Sequence, residues 1–172
     1  MVIISKNNEG KGSAVTAGFK KATGDIFIIQ DADMEYDPNE YQSLIDPIIS
    51  GKYKIVYGSR RLGDHKNKYS RLKFYIGGVL LTWYMNMLFF STMTDEPTCY
   101  KVFRRDVIDN IKIYGKKFDW EPEVTAKILK KGIRIHEVPI SYHPRSIDEG
   151  KKINYKDFIH AVWVALKYRF VK

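Results

Sequence analysis

The stretch Asp25-Ile26-Phe27-Ile28-Ile29-Gln30-Asp31-Ala32-Asp33-Met34-Glu35 decides how this chain is read. A run of four apolar residues bounded by Gly24 and by acids predicts a buried strand. Asp31 and Asp33 stand at i and i+2 where that strand ends. Both therefore lie near the open edge of a sheet, the side on which ligands bind in open α/β folds. Carboxylates held together repel one another, and a divalent cation neutralises them. Hard oxygen ligands suit Mg²⁺ or Mn²⁺, ions that keep substrate phosphates as their remaining ligands. The competing reading of an isolated Asp-x-Asp is a simple turn cap.

The 172 residues suffice for one domain with a sizeable core, and 44% hydrophobic and 14% aromatic residues indicate a folded protein. A single cysteine, Cys99, excludes an intrachain disulfide and favours a reducing compartment. The opening Met1-Val2-Ile3-Ile4 gives way at once to Ser5-Lys6-Asn7-Asn8, which is not the pattern of a signal peptide. A formal net charge of +9 favours phosphate-rich partners: nucleic acid, nucleotides or an anionic membrane surface. Charge alone does not choose among them. The four histidines, at 65, 136, 143 and 160, are too scattered for a zinc site. Cys99 has no basic neighbour to mark it as a nucleophile, and no Gly-x-Ser-x-Gly occurs.

Outward from the acidic stretch, Val2–Ile4 is predicted as a short strand. Asn8-Glu9-Gly10-Lys11-Gly12-Ser13 is a turn leading into a helix from Ala14 to Ala22. Glycines before a helix let backbone N–H groups approach a phosphate, or serve an ordinary turn. On the other side, Asp37, Pro38 and Glu40 form a capping-box pattern before an apolar stripe of Leu44, Ile45, Ile48 and Ile49, with Pro47 inside it. Tyr53–Tyr57 is the next strand. If it runs parallel to the first, it delivers Gly58-Ser59-Arg60-Arg61 to the same edge as the aspartates, where Arg60 or Arg61 can fork onto a phosphate.

The segment from 64 to 73 is basic, with Lys66, Lys68, Arg71 and Lys73. Phe74 to Phe90 then gives 17 residues without a charge, interrupted by Gly77, Gly78, Thr82 and Asn86. This reads as a helix lying in a membrane interface or as a core helix, rather than as a span. Cys99–Phe103 is predicted as a strand and 105–111 as a short helix. A longer helix opens at Asp119-Trp120-Glu121-Pro122-Glu123 and stops at Gly132. Residues 133–138 alternate as a half-exposed strand. A charged loop from Pro144 to Lys152 precedes a last helix, Tyr155–Phe170, with Phe158, Ile159, Val162, Trp163 and Leu166 on its expected buried side.

Taken together, these segments resemble glycosyltransferase family 2, specifically its polyprenyl-phosphate (dolichol-phosphate mannosyltransferase-like) group. The resemblance rests on Asn8–Ala14, Ala22-Thr23-Gly24-Asp25, Gln30–Glu35 with Pro38, and Tyr57-Gly58-Ser59-Arg60. It continues through Asp95–Lys101, Phe118–Glu123, Gly132–Ile140, Arg145 and Glu149-Gly150-Lys151-Lys152. It covers essentially the whole chain, read as a single domain over 1–172. The implied fold is GT-A: a mixed, mainly parallel sheet flanked by helices. Such enzymes open with a Pro-x-Tyr-Asn-Glu-like stretch and then an Asp-Asp-Gly-Ser-like stretch that hold the nucleotide. Neither is found here, so the chain is expected to be N-terminally incomplete, about two-thirds of a catalytic domain.

The resemblance implies inverting, metal-dependent transfer of a sugar from a nucleotide diphosphate sugar to a polyprenyl phosphate, with Mg²⁺ or Mn²⁺ as cofactor. By it, Asp33, Glu35 and Asp31 form the metal site, Glu35 standing where relatives often carry Gln. Asp31 also belongs with Asn8, Gly10, Lys11, Arg145 and Lys151 to the donor site, the last two closing as a lid. Arg60 and Arg71 hold the acceptor phosphate. Asp95 is the base or acceptor-orienting group, with Glu121 and Glu123 as second candidates. A phosphate monoester with a second pKa of about 6 is already nucleophilic at neutral pH, so a base is dispensable. The expected location is peripheral, at the cytoplasmic face of a membrane, with no nucleic-acid partner. A homo-oligomer or a separate N-terminal partner would complete the sheet. The rivals are a basic nucleic-acid-binding module and a non-catalytic relative that keeps the fold.

Overall fold

The computed structural model describes residues 2–63, 72–145 and 155–171. Arg71 and Lys151 lie outside the described residues, as do Lys66 and Lys68. The elements are, in order, α1 (Lys11–Lys21), β1 (Ile26–Ile28), a 3₁₀ turn (Pro38–Glu40), α2 (Tyr41–Ile49), β2 (Ile55–Ser59) and α3 (Leu72–Phe89). They continue with β3 (Lys101–Arg104), α4 (Arg105–Asp109), α5 (Trp120–Lys130), β4 (His136–Pro139) and α6 (Tyr155–Phe170). This is the expected mixed α/β sheet with flanking helices.

The four-stranded sheet has the order β1-β3-β2-β4. Its ladders differ from the expected, mainly parallel pairing. β3 runs antiparallel to both β1 and β2, and only β2 and β4 pair in parallel. Directions nevertheless agree for β1, β2 and β4, because β3 reverses twice between β1 and β2. Their carboxyl ends leave from one edge, and the segment that enters β3 starts there too. A single edge thus receives chain from all four strands, which is what positions the site. The centre of the sheet is dry: Ile55, Val56, Tyr57, Val102 and Phe103 are all fully buried. Lys101 is fully buried among them; its ammonium donates to the carbonyls of Glu96 (2.5 Å) and Thr98 (2.8 Å) and lies over the Tyr57 ring.

Helix α1 begins at Lys11, three residues earlier than the sequence pattern suggests. Gly10 takes φ 105°, a left-handed conformation that favours glycine, and leads into the helix. The first N–H groups of α1 point at protein, not solvent: Gly12 N donates to Lys117 O (3.1 Å) and Ser13 N to Lys116 O (2.9 Å). A Cβ on Gly12 would come 2.4 Å from Gly115 O and 2.7 Å from Trp120 Cβ. These glycines therefore serve close packing of α1 on the loop before α5.

Other expectations change as well. Val2–Ile4 forms no strand; Val2 and Ile3 lie exposed in irregular chain. The capping box does not close, since Asp37 accepts from Asn39 N (2.9 Å) while Glu40 reaches Ser141 N (2.8 Å). In α6 the buried residues are Ala161, Val164, Ala165 and Tyr168, whereas Ile159 and Trp163 are exposed. The helix carries two apolar stripes, and the one running through Ala161, Val164, Ala165 and Tyr168 packs inward.

Two glycines of α1 test this packing with opposite signs. Gly18 has nothing within 4 Å of an added Cβ. Gly18→Ala should stabilise the fold by about 0.5–1 kcal/mol through helix propensity. Gly12→Ala should destabilise it by about 1–3 kcal/mol through overpacking. Urea unfolding of both variants measures the pair, and equal shifts would contradict the docking of α1 on Gly115 and Trp120.

Candidate functional site

The shared edge opens into a cavity of about 970 Å³. Its charged wall comes from Lys11 at the start of α1, Asp31 and Asp33 after β1, Arg60 and Arg61 at the end of β2 and Arg145 beyond β4, with Glu121 of α5 beside them. Helices α3 and α6 supply a mainly apolar wall that includes Phe74, Ile76, Leu80, Leu81, Phe158 and Ala161, with Lys73 and Asp157 as its charged members.

Asp31 and Asp33 are each matched to a cation. The Lys11 ammonium reaches Asp31 Oδ2 (2.6 Å) and Glu121 Oε1 (2.9 Å), bridging β1 to α5. Burial works to lower the Lys11 pKa, but the carboxylates of Glu121 and Asp31 outweigh it and hold the ammonium charged. Asp33 Oδ2 accepts from Arg145 Nη2 (2.9 Å), and Asp33 Oδ1 accepts from Glu35 N (3.3 Å). The turn between them carries Met34 at φ 59°, an uncommon conformation for a side-chain-bearing residue.

Glu35 is buried and lines the same cavity as Asp31 and Asp33. Its Oε1 accepts from Arg145 N (2.9 Å), its Oε2 accepts from the Tyr142 hydroxyl (3.1 Å), and its carbonyl accepts from His143 N (2.9 Å). In this structure Glu35 fastens the 142–145 segment to the acidic turn. Asn8 and Gly10 do not line the cavity: Asn8 Oδ1 accepts from Gly10 N (3.1 Å) in an exposed turn. Of the expected donor-site residues, the structure brings Lys11, Asp31 and Arg145 to the cavity.

Asp95 is fully buried midway along the loop that joins α3 to β3. Arg60 grips it with Nε to Oδ2 (2.7 Å), Nη2 to Oδ1 (2.8 Å) and its backbone N to Oδ2 (3.0 Å). Arg61 Nη2 stands 3.7 Å from Oδ1. Burial works to raise the Asp95 pKa, but Arg60 and then Arg61 outweigh it and hold it below the usual carboxylate value. Arg60 Nη2 also donates to Pro97 O (3.0 Å), and its guanidinium lies over the Tyr142 ring. Glu137 of β4 holds the loop from below, accepting from Thr94 N (2.7 Å), Thr94 Oγ1 (3.0 Å) and Asp95 N (2.9 Å).

The second-choice acids separate. Glu121 lines the cavity against Lys11, whereas the Glu123 carboxylate is spent on Tyr114 N, Gly115 N and Lys127, fixing the loop on which α1 rests. Burial pushes the Cys99 thiol up to about 12, in keeping with an inert cysteine. Sequence reasoning passed over Glu137 and Tyr142. No periodic signal pointed to both: they stand five residues apart, an odd spacing that strand alternation alone would put on opposite faces, and β4 ends at Pro139 between them.

The family model described as Glycosyl transferase family 2 matches residues 1–112. Among curated proteins, the chain is 28% identical over 145 residues to the low-salt glycan biosynthesis hexosyltransferase Agl6 of Haloferax volcanii, covering 84% of this chain and 35% of that protein. It is 28% identical over 154 residues to the dolichol-phosphate mannosyltransferase of Pyrococcus furiosus (87% and 42%). With the undecaprenyl-phosphate mannosyltransferase of Micrococcus luteus it shares 26% over 160 residues (87% and 63%). The chain thus spans between about a third and just under two-thirds of the length of these relatives. A crystal structure of glucosyl-3-phosphoglycerate synthase from Mycobacterium tuberculosis, in complex with Mn²⁺, uridine diphosphate and phosphoglyceric acid, superposes with a TM-score of 0.69. It is 15% identical, and the match covers 95% of this chain and 55% of that one. At that identity the likeness is one of fold.

Removing the shared carboxylate tests the site as an electrostatic unit. Asp95→Asn leaves Arg60 and Arg61 without their buried counter-charge and should cost about 3–5 kcal/mol at neutral pH. The wild-type carboxylate titrates lower when folded than when unfolded. Its contribution is therefore complete above about pH 4 and is lost as the pH falls through the folded value. Chemical denaturation at pH 7 and at pH 3 should show the gap between wild type and variant narrowing in acid. A gap independent of pH would contradict the ion pair.

Proposed function

Since this chain belongs to glycosyl transferase family 2, we propose that it takes part in moving a hexose from a nucleotide diphosphate sugar onto a polyprenyl phosphate, with inversion at the anomeric carbon. The observation that carries this reading is the composition of the cavity. A charged wall and a mainly apolar helical wall line one continuous space, which suits an acceptor that is ionic at one end and hydrocarbon along the rest. The names of the Pyrococcus and Micrococcus relatives point to the same acceptor class.

The donor diphosphate belongs near Lys11, Asp31, Asp33 and Arg145. No group of three metal-ligating side chains occurs among the described residues. A hard divalent ion needs fewer, because it commonly takes one or two carboxylates and completes its shell with substrate phosphates and water. Asp33, with its carboxylate on the cavity wall, fits that role. Asp31 sits beside it, while Glu35 fits a positioning role behind it. Mn²⁺ in the Mycobacterium structures is in keeping with such a site. When bound, the ion supplies charge neutralisation for the departing diphosphate.

In the reaction, an acceptor phosphate oxygen forms a bond to the anomeric carbon as the bond from that carbon to the diphosphate oxygen breaks. No proton has to leave a dianionic phosphate, so no base is needed. Asp95, buried and held by two arginines, fits as the group that aims the acceptor-binding guanidiniums. Cations on the acceptor side gather the phosphate, and Arg145, which reaches Asp33 from the 142–145 segment, is placed to follow the donor diphosphate.

The outer face of the helical layer extends the argument to a lipid surface. Ile76, Leu80, Trp83, Met87 and Phe90 form an exposed apolar stripe along α3 and just past its end, beside exposed Ile159 and Trp163 of α6. Ile76 and Leu80 also line the cavity, so that stripe is continuous with the apolar wall. No helix among the described residues is long and apolar enough to cross a membrane. Such a stripe with tryptophans suits the interfacial layer of a bilayer, and the basic 64–73 sequence suits anionic headgroups.

Transfer of radiolabelled hexose from nucleotide diphosphate sugars to polyprenyl phosphate, with Mn²⁺ present, tests the reading. A lipid-extractable product should form, and Asp33→Asn should lower its rate by about 100-fold or more. Equal rates in the two proteins would remove Asp33 from the donor site.

A further inference from the structure

We propose that the Arg145 guanidinium and a divalent ion compete for the same oxygen of Asp33. The ion displaces only the side chain, while the backbone of the 142–145 segment stays fastened and keeps the freed guanidinium beside the diphosphate. This rests on the donor-site reading above, and its test tells the two apart.

The first observation is which oxygens of the acidic turn are taken. Asp33 Oδ1 accepts from Glu35 N (3.3 Å) within the turn, and Oδ2 accepts from Arg145 Nη2 (2.9 Å). Oδ2 is therefore the oxygen that the turn leaves for a cation, and a guanidinium holds it. A metal ion on that oxygen would meet the guanidinium as a like charge at contact distance, so each disfavours the other.

The second observation is the local charge. Asp33 and Glu35 both lie against Arg145, at 2.9 Å and 3.5 Å. Two formal negative charges thus share one positive charge. A divalent ion in place of the guanidinium matches both, with carboxylate oxygens of the hard kind that Mg²⁺ and Mn²⁺ take. The exchange improves the balance at the turn and leaves the arginine's charge over for the diphosphate.

The third observation is how differently the backbone and the side chain of Arg145 are held. Arg145 N donates to Glu35 Oε1 (2.9 Å), the Tyr142 hydroxyl to Glu35 Oε2 (3.1 Å) and His143 N to Glu35 O (2.9 Å). None of these contacts uses the guanidinium. The Arg145 side chain is 37% exposed, against 18% for Asp33 and 10% for Glu35. Its Nε stands 3.5 Å from Glu35 Oε1 and makes no hydrogen bond among the described residues. A fork with one prong engaged, on a side chain this open, is a weak ion pair. The guanidinium is thus the member of the cluster that yields, and the segment that carries it does not have to move.

Calorimetry measures binding of Mn²⁺ alone, and of uridine diphosphate at saturating Mn²⁺, to wild type, Arg145→Gln, Arg145→Lys and Asp33→Asn. Arg145→Gln should tighten Mn²⁺ alone by about 10-fold, through loss of a competing charge-assisted contact, and weaken uridine diphosphate by about 10-fold. Arg145→Lys, which keeps the charge without the fork, should fall between it and wild type for both ligands. The opposite signs are the signature of competition; an arginine that only supports the fold would move both affinities the same way or neither. Hydrogen exchange of the backbone amides over 142–145 should change less than about twofold when Mn²⁺ is added to wild type. Mn²⁺ affinity unchanged or weakened in Arg145→Gln overturns the proposal. So does uridine diphosphate binding that fails to weaken, or amide exchange over 142–145 that rises with Mn²⁺ because the whole segment opens. Mn²⁺ affinity that falls in Asp33→Asn but ignores Arg145→Gln removes the competition and leaves the donor site standing. Mn²⁺ affinity indifferent to Asp33→Asn removes both.

Discussion

One buried carboxylate organises the functional edge of this protein. Asp95 has no solvent exposure and cannot stay ionised there without compensation, since isolated charges are strongly disfavoured in a protein interior. Compensation comes from Arg60 and Arg61 at the end of β2, and it ties that strand to the loop before β3. Glu137 of β4 fixes the same loop through two backbone N–H groups and a hydroxyl. Thr82 of α3 accepts from Glu96 N (3.0 Å), bringing the helical layer into the same network. Three strands and a helix thereby converge on one charge. The cavity exists because these elements are held at a common edge.

The antiparallel β3 is what makes that convergence possible. Were it parallel to its neighbours, its leading loop, with Asp95, would lie at the opposite end of the sheet. A second consequence concerns the acids of the opening stretch. Asp31 and Asp33 do not face each other as a bare pair; Lys11 and Arg145 neutralise them separately. Lys11 is shared with Glu121 and Arg145 with Glu35, so this part of the cavity holds more carboxylate than cationic charge, and an anion arriving there would compete for cations already engaged.

Much of this was legible in the chain, and the failures have physical causes. Glycine- and acid-bounded apolar runs located β1 and β2, and their common direction put Arg60 and Asp31 at one edge as expected. Strand direction for β3 was not legible, because side-chain alternation is the same for either pairing. The inward face of α6 was misjudged since Ile159 and Trp163 form an apolar stripe of their own, and periodicity does not say which of two stripes is buried. Val2–Ile4 has strand-like composition without a pairing partner. The Asp95–Arg60 pair joins residues 35 positions apart, and the roles of Glu35 and Glu137 as clamps appear only once backbone N–H groups are in place. Family resemblance carried the class of chemistry; it did not tell which carboxylates face the cavity and which hold the fold.

The central claim is that one cavity seats an ionic headgroup against strand ends and a hydrocarbon chain against α3 and α6. The most direct measurement is photo-crosslinking with a polyprenyl phosphate bearing a diazirine in its first isoprene units, followed by peptide mapping. The account predicts adducts within 74–81 and 158–161, suppressed by unlabelled polyprenyl phosphate. Adducts confined to α2 or to residues 2–9, or labelling that unlabelled lipid does not suppress, would contradict it.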